Sequence, residues 1–242
     1  MLRIYLIRHA QSANNALSDQ TLRHHDPGLT ELGCEQARLL AQHLANGDSR
    51  DMQVDIRSGY SVREDGVGFG ITRLYTSAMQ RALLTSAENA RATGLQPHVW
   101  LDIHEEGGVY LDQEGGRIGK PGMNRSQIAD QFPSFGLPDP MGDEGWWGEA
   151  RGYETRELAY ERARRVAAEL RSHSESDETI ALITHGTFID RLIKALFDQT
   201  EIGRSFYLHY NAAITRLDFF APERLLIRYL NRIDHLPHDM MS

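Results

Sequence analysis

One cysteine, two lysines and no apolar run of membrane-spanning length are the scarcities of this 242-residue chain. Cys34 alone cannot build a disulfide framework or a multi-cysteine metal site. A transmembrane helix needs about 18 or more nearly uninterrupted apolar residues, and no segment offers them. The stretch Met1 to His9 becomes charged too early for a secretory leader, so the expected address is the cytoplasm. Of 26 basic residues only Lys120 and Lys194 are lysine, and 34 acidic residues bring the formal net charge to −8. That balance argues against nucleic acid or an anionic membrane as a main partner. In so arginine-rich a chain, an arginine is informative only where its position is unusual. The remaining composition, 40% hydrophobic and 25% charged, is that of an ordinary folded protein. The length allows one large domain or two small ones.

What is present alternates between two periodicities. Ile4-Tyr5-Leu6-Ile7 is a short apolar, β-prone run ending at Arg8-His9, which predicts a buried strand. Thr30 can N-cap a helix whose Ala37, Leu40, Ala41 and Leu44 fall at helical spacing, and Gly47 sits where it should stop. Residues 48–70, polar and glycine-bearing, read as a loop or insertion. Arg73-Leu74-Tyr75-Thr76 predicts a second strand, followed by a helix with Met79, Leu83, Ala87 and Ala90 on one face and Gly94 behind it. Residues 107–152 break the pattern. They hold 11 of the 21 glycines, four of the eight prolines and two of the three tryptophans, and read as a long surface excursion of the kind that forms lids. Order returns with a helix through Ala159, Ala163, Val166 and Leu170, and with Thr179 to Thr184, the clearest strand. After His185-Gly186 another helix follows, with Ile189, Leu192, Ile193 and Leu196 on its face. Ile214 to Phe220 and Leu225 to Tyr229, around Ala221-Pro222-Glu223, read as a hairpin.

Strands alternating with amphipathic helices predict an α/β fold, a three-layer α/β/α sandwich with a mostly parallel central sheet. No linker separates two self-sufficient cores. Residues 1–242 therefore read as a single domain, with insertions at about 48–70 and 107–152 forming a cap.

Two of the predicted strands end in histidine, His9 and His185. Ligands of open α/β sheets bind beyond the carboxyl ends of the strands, so both imidazoles belong at one sheet edge. Arg8 joins them, and Arg81, in the first turns of the helix after the second strand, reaches the same edge. Guanidinium forks and backbone amides at helix N-termini converging there make an anion site suited to a phosphoryl group.

The motifs around these residues resemble the histidine phosphatase superfamily, the phosphoglycerate-mutase-like group. They run in order: Leu6-Ile7-Arg8-His9-Ala10-Gln11-Ser12 with Asn15; Leu29-Thr30-Glu31-Leu32-Gly33 with Gln36-Ala37; Thr76-Ser77 to Arg81-Ala82; Ile103-His104-Glu105; Leu182-Ile183-Thr184-His185-Gly186; and Tyr229-Leu230-Asn231 with His235-Leu236. The resemblance implies that His9 is the nucleophile that becomes a phosphohistidine. It implies that Arg8, Arg81 and His185 clamp the phosphoryl oxygens with Asn15 and Gly186, and that Glu105 protonates the leaving oxygen. Glu106 is the alternative acid, and Asp102 lies near. The family signature usually has glycine after the histidine. Ala10 stands there instead, implying a backbone that accommodates a methyl group.

The chemistry of the residue types agrees. A neutral imidazole is the side chain best poised near pH 7 to attack phosphorus, and its phosphoramidate is labile enough for water to finish the reaction. Charge on the equatorial oxygens calls for positioned cations, and an alkoxide leaving group calls for an acid. No metal or other cofactor is needed for these roles. The expected function is therefore a metal-independent phosphoric monoester hydrolase, acting on a small phosphorylated metabolite or a phosphorylated protein. Two alternatives stand beside it: a phosphoglycerate-type mutase, and a catalytically weak member that binds phosphorylated ligands. The mutases carry an Arg-His-Tyr-Gly stretch after the acid, where this chain has Glu106-Gly107-Gly108, which favours hydrolysis. Oligomeric state is not legible.

Other signals have plainer readings. Gly66-Val67-Gly68-Phe69-Gly70 precedes a strand and lacks the spacing of a dinucleotide fingerprint, and Gly119-Lys120-Pro121 is no phosphate-binding P-loop. His24-His25 and His235…His238 have no carboxylate or cysteine spacing of a known metal site and read as solvated loop histidines. Trp146-Trp147 is either a structural plug or a stacking platform for substrate. Arg117, Lys120 and Arg125 either hold a second anionic group or form a solvated face.

Overall fold

β1 (Arg3–Arg8) buries all four residues between its ends, and they face two different cores. Ile4 and Leu6 enter one apolar cluster, while Tyr5 and Ile7 enter another on the opposite side. This is the twofold alternation of a strand sandwiched between helical layers. The structure, a computed structural model, describes residues 1–47, 52–54, 61–63, 67–139, 141–200, 203–221 and 224–242.

The elements follow in chain order. A short helix α1 (Ala13–Ala16) leads to α2 (Glu31–Asn46), then to the paired strands β2 (Met52–Val54) and β3 (Ser61–Arg63). Next come β4 (Arg73–Thr76), α3 (Gln80–Thr93), β5 (Pro97–Val99), the hairpin β6 (Tyr110–Gln113) and β7 (Gly116–Gly119), and α4 (Arg125–Gln131). The chain closes with α5 (Arg156–Ser172), β8 (Thr179–Thr184), α6 (Gly186–Leu196), β9 (Ile214–Ala221) and β10 (Arg224–Arg232).

The six-stranded sheet has the order β10-β9-β1-β8-β4-β5. β1, β8, β4 and β5 run parallel, and β9 and β10 form the expected hairpin, which adds an antiparallel edge to the sheet. β8 repeats the alternation of β1: Ile180 and Leu182 join α5 and α6 on one face, and Ala181 and Ile183 join α2 and α3 on the other. The fold is therefore the expected mixed α/β sandwich with a mostly parallel sheet.

Local signals set the helix limits. Thr30 caps α2 by accepting the Gly33 amide at 2.9 Å, and Gly47 ends it. Gly94 ends α3 in the left-handed conformation, where glycine carries no steric penalty. Gly33 is required for a different reason. A Cβ there would stand 2.0 Å from the Gln11 carbonyl, so only glycine lets α2 approach the loop after β1.

Residues 107–152 are more ordered than a surface excursion. Besides β6, β7 and α4, they bring Val109, Ile128, Phe132, Phe135, Met141, Trp146 and Trp147 into a third buried cluster, packed on Ala78, Met79 and Leu83. The expected insertion at about 48–70 lies largely outside the described residues. Within it, Phe69 is buried against Tyr5. Among the described residues, no helix is long and apolar enough to cross a membrane.

Candidate active site

Three neighbouring parallel strands, β1, β8 and β4, deliver the chemistry to one sheet edge. Arg8 and His9 leave the end of β1, His185 leaves the end of β8, and Arg81 is the second residue of the helix after β4. The rings of His9 and His185 stand 5.0 Å apart, the separation the common-edge reading requires.

His9 is 3% exposed, and both its nitrogens are engaged. Nδ1 donates to the Ala10 carbonyl at 2.7 Å, while Nε2 accepts from Arg81 Nε at 3.1 Å. These two contacts fit one neutral tautomer, protonated on Nδ1 with the lone pair on Nε2. Burial, reinforced by Arg81 and Arg8, pushes His9 well below the ordinary imidazole range, so the ring is neutral at pH 7. Ala10 itself is buried and is not among the residues in the left-handed region, so its methyl group is accommodated as expected.

The loop after β1 is held from several directions. The Gln11 amide donates to Gln36 Oε1 at 2.8 Å, and Thr30 Oγ1 donates to Gln11 Oε1 at 2.7 Å. The motif Leu29 to Ala37 thus acts as scaffolding for the histidine loop. Asn15 Oδ1 accepts from the Ser12 amide and hydroxyl and from Asn211 Nδ2, which leaves its own amide group as a donor in the cavity.

A cavity of about 430 Å³ opens over these groups, lined by Arg8, His9, Asn15, Arg81, Glu105 and Thr187 among others. His185, fully buried, sits behind it, with Nε2 bonded to Ser77 Oγ at 2.8 Å and Nδ1 without a hydrogen-bond partner. Burial and then Arg81 push His185 well below its ordinary range as well. Gly186 does not line the cavity. A Cβ at Gly186 would meet Arg8 Nε at 3.3 Å, so this glycine serves the site by leaving room for the arginine.

The two candidate acids are separated by their partners. Glu106 is committed to Arg191 through two contacts at 2.8 and 2.9 Å. Arg191 also pairs with Asp190, which holds Lys194 at 2.9 Å. Glu105 has no cation within ion-pair distance among the described residues. Its Oε1 accepts the amides of Glu106 and Phe188 at 2.9 Å, and its Oε2 accepts that of Thr187 at 3.2 Å, at the N-terminus of α6. The second lone pair of Oε2 remains for a proton.

The loop carrying Glu105 is pinned from behind. Arg162 donates to the carbonyls of Asp102 and His104 at 2.7 and 2.9 Å and pairs with Glu154 through both carboxylate oxygens. Against the desolvation of burial, Arg162 and His104 hold Glu154 down to about 2. Thr184 Oγ1 adds a bond to the Ile103 carbonyl. Nothing in the sequence pattern singles out Arg162 or Glu154.

Other residues that the sequence reading passed over complete the surroundings. Asp26 is buried behind Arg81: its Oδ1 accepts the Gln80 amide at 3.0 Å and lies 3.7 Å from Arg81 Nη1. Burial raises its carboxyl to about 6 against the pull of Arg81. Its place in Asp26-Pro27-Gly28, just ahead of the α2 cap, was the available signal. Arg23, Gln20, Tyr110 and Tyr153 line the cavity mouth, and the Arg23 guanidinium lies 5.7 Å from the Tyr110 ring centre. His25, read as a solvated loop histidine, also lines the cavity.

The remaining alternatives resolve against direct substrate contact. Trp146 and Trp147 are buried around His104, at 5.3 and 4.9 Å, and neither lines the cavity, so the plug reading fits them. Arg117 stacks on Tyr153 and bonds to Asp112, Lys120 faces Glu149, and Arg125 donates to the Pro138 carbonyl. None of these three lines the cavity.

Arg8, Arg81 and Asn15 thus gather around a neutral, lone-pair-bearing histidine at the carboxyl edge of a mostly parallel sheet, an arrangement able to bind an anion. The chain belongs to the histidine phosphatase superfamily (branch 1), which it matches over residues 4–59 and 61–232. Its fold is shared by a mutant phosphoserine phosphatase from Entamoeba histolytica, solved in complex with phosphoserine: 18% identity, 98% of this chain and 100% of that one covered, TM-score 0.57. A mycobacterial glucosyl-3-phosphoglycerate phosphatase aligns at 21% identity over 95% and 98% of the two chains, TM-score 0.54. The ecdysone phosphate phosphatase of Bombix mori aligns at 13% identity over 95% and 92%, TM-score 0.60. No curated protein sequence matches.

Proposed function

We propose that this protein is a phosphomonoester hydrolase working through a phosphohistidine on His9. The observation that carries the reading is the pair of contacts made by the His9 ring, which fits one neutral tautomer. Its Nδ1–H is tied to the Ala10 carbonyl, and its Nε2 lone pair faces a cavity flanked by Arg8, Arg81, Asn15 and Glu105. Nε2 attacks phosphorus, the bond to the leaving oxygen breaks, and Glu105 gives that oxygen a proton. Water then attacks phosphorus while Glu105 takes its proton, the P–Nε2 bond breaks with its electron pair returning to Nε2, and inorganic phosphate departs. Arg81 holds Nε2 while the site waits. It turns its N–H groups to the phosphoryl oxygens when substrate arrives, which releases the lone pair. The guanidiniums of Arg8 and Arg81 supply positive charge where the transition state develops its negative charge, so the reaction needs no metal ion.

The mouth suggests the substrate class. Nearly every residue lining the cavity is polar, which favours a small hydrophilic phosphate ester. Arg23 has no carboxylate within ion-pair distance among the described residues, so it is placed to meet a second anionic group on the leaving portion. Hydrolysis is preferred to phosphoryl return because the segment after the acid, Glu106-Gly107-Gly108, supplies no basic side chain to a second acceptor.

The test uses purified protein and p-nitrophenyl phosphate. Turnover is expected to survive EDTA, to be inhibited by vanadate and phosphate, and to vanish in His9→Ala. Turnover unchanged by that substitution would reject the assignment. Dominant transfer of the phosphoryl group to a phosphoglycerate acceptor would establish a mutase instead.

A further inference from the structure

Away from the cavity, the structure brings together two histidines that the sequence places 192 positions apart, His43 near the end of α2 and His235 in the tail after β10. Their rings are stacked, 5.1 Å apart and 14° from parallel. Asp234 completes a group whose ligand atoms, one from each residue, all lie within 4.8 Å of one another. The reading of His235 as a solvated loop histidine is thereby corrected: it is half-buried on His43, whereas His238 is exposed as expected.

We propose that His43, Asp234 and His235 form a binding site for a borderline divalent transition metal ion such as Zn²⁺, which staples the C-terminal tail to α2. Buried polar atoms are almost always satisfied, and those that are not require an explanation such as an ion. Apart from a marginal contact with the Ala212 backbone, neither ring nitrogen of His235 reaches a hydrogen-bond partner. Two imidazole nitrogens and one carboxylate oxygen are the donors that zinc and its neighbours prefer, leaving a fourth position for water. They do not suit Mg²⁺ or Ca²⁺, which take oxygen ligands. Both oxygens of Asp234 already accept from Arg232, at 2.6 and 3.0 Å. A carboxylate offers about four lone-pair directions, so Arg232 can orient the group while the opposite side binds the ion. Phe69 closes one side by meeting the His43 ring edge-on at 5.0 Å.

The site has a structural connection to the chemistry without taking part in it. None of the three residues lines the active-site cavity. The Ala212 backbone beside His235 donates its N–H to the His9 carbonyl, so fixing the tail steadies the loop that carries the nucleophile.

The experiment is a titration of the chelator-treated full-length protein with Co²⁺, followed by visible absorption, with Zn²⁺ as competitor. One equivalent of Co²⁺ should bind with a tetrahedral d–d spectrum, and Zn²⁺ should displace it and raise the melting temperature. His235→Phe, which keeps a flat ring on His43, should weaken Co²⁺ binding by more than about tenfold. His9→Ala should bind Co²⁺ as the unsubstituted protein does, which separates this site from the reaction proposed above. Absence of stoichiometric binding, or equal binding by a folded His235→Phe variant, would overturn the assignment. Anomalous scattering from a Zn²⁺-soaked crystal of the unsubstituted protein decides it without any variant. An ion at about 2.0–2.2 Å from all three ligands supports the site, and an ion bound only elsewhere, or none, refutes it.

Discussion

The floor and the mouth of the active-site cavity are built by different kinds of chain. The floor is Arg8, His9 and Arg81, backed by the buried His185, each placed at the end of a strand or the start of the helix after one. The mouth is Arg23, Gln20, Tyr110 and Tyr153, carried by short turns and by the segment after Gly107. His9 is locked between the Ala10 carbonyl and Arg81, Arg8 donates to the His209 carbonyl, and His185 bonds to Ser77 Oγ. Among the described residues, the Arg23 side chain is held by a ring contact and a long bond to Gln20. A rigid floor suits chemistry common to every phosphate ester, and a loosely tethered mouth suits the part of the substrate that varies. Substitutions at the floor should therefore lower kcat for all substrates, and those at the mouth should change KM for some.

The largest contrast is expected at the two adjacent glutamates. Glu105→Gln should cost about 10²–10⁴-fold in kcat for alkyl phosphates and far less for p-nitrophenyl phosphate, whose leaving group needs little protonation. Glu106→Gln should leave that leaving-group dependence intact, because its carboxylate serves Arg191. Steady-state kinetics over a series of leaving groups measures both. Equal effects on all substrates would remove Glu105 from the acid role.

At the mouth, Arg23→Ala should raise KM by about tenfold for substrates with a second anionic group, the size of effect of an exposed charge-assisted contact. It should leave p-nitrophenyl phosphate unaffected. A fall in kcat for every substrate would instead place Arg23 on the floor.

The smallest effect at neutral pH concerns Asp26. Its carboxyl, raised to about 6, should protonate as the pH falls through that value and release its hold on Arg81. The profile of kcat/KM should then show an acid limb near pH 6 that Asp26→Asn removes, since His9 is already neutral there. Stability runs the other way. A group whose folded value lies above its unfolded value of 3.8 stabilises fully below 3.8, and that contribution is lost as the pH rises through about 6. The wild type should therefore lose up to about 3 kcal/mol relative to Asp26→Asn between pH 4 and pH 7, measured by denaturant unfolding.

The same division explains what could be read without coordinates. α2 was legible to its ends because its cap, its apolar spacing and its terminal glycine are all local signals, and β8 was legible because a central parallel strand is apolar throughout. Histidines at strand ends placed the floor. β5, three residues long at the sheet edge, offered too few positions for any period to show. The core formed by residues 107–152 depends on Trp146 and Trp147 closing around His104, a contact between distant segments that no spacing announces. Arg23 was indistinguishable from other surface arginines, and Asp26 gains its meaning only from the burial of Arg81 beside it.

The most direct measurement is the fate of the phosphoryl group during turnover. Rapid quench with a ³²P-labelled substrate, followed by peptide mapping and ³¹P NMR of the trapped protein, should find an acid-labile, base-stable adduct on Nε2 of His9. Label on Nδ1, label on another residue, or turnover with no covalent adduct and inversion at phosphorus would contradict the account.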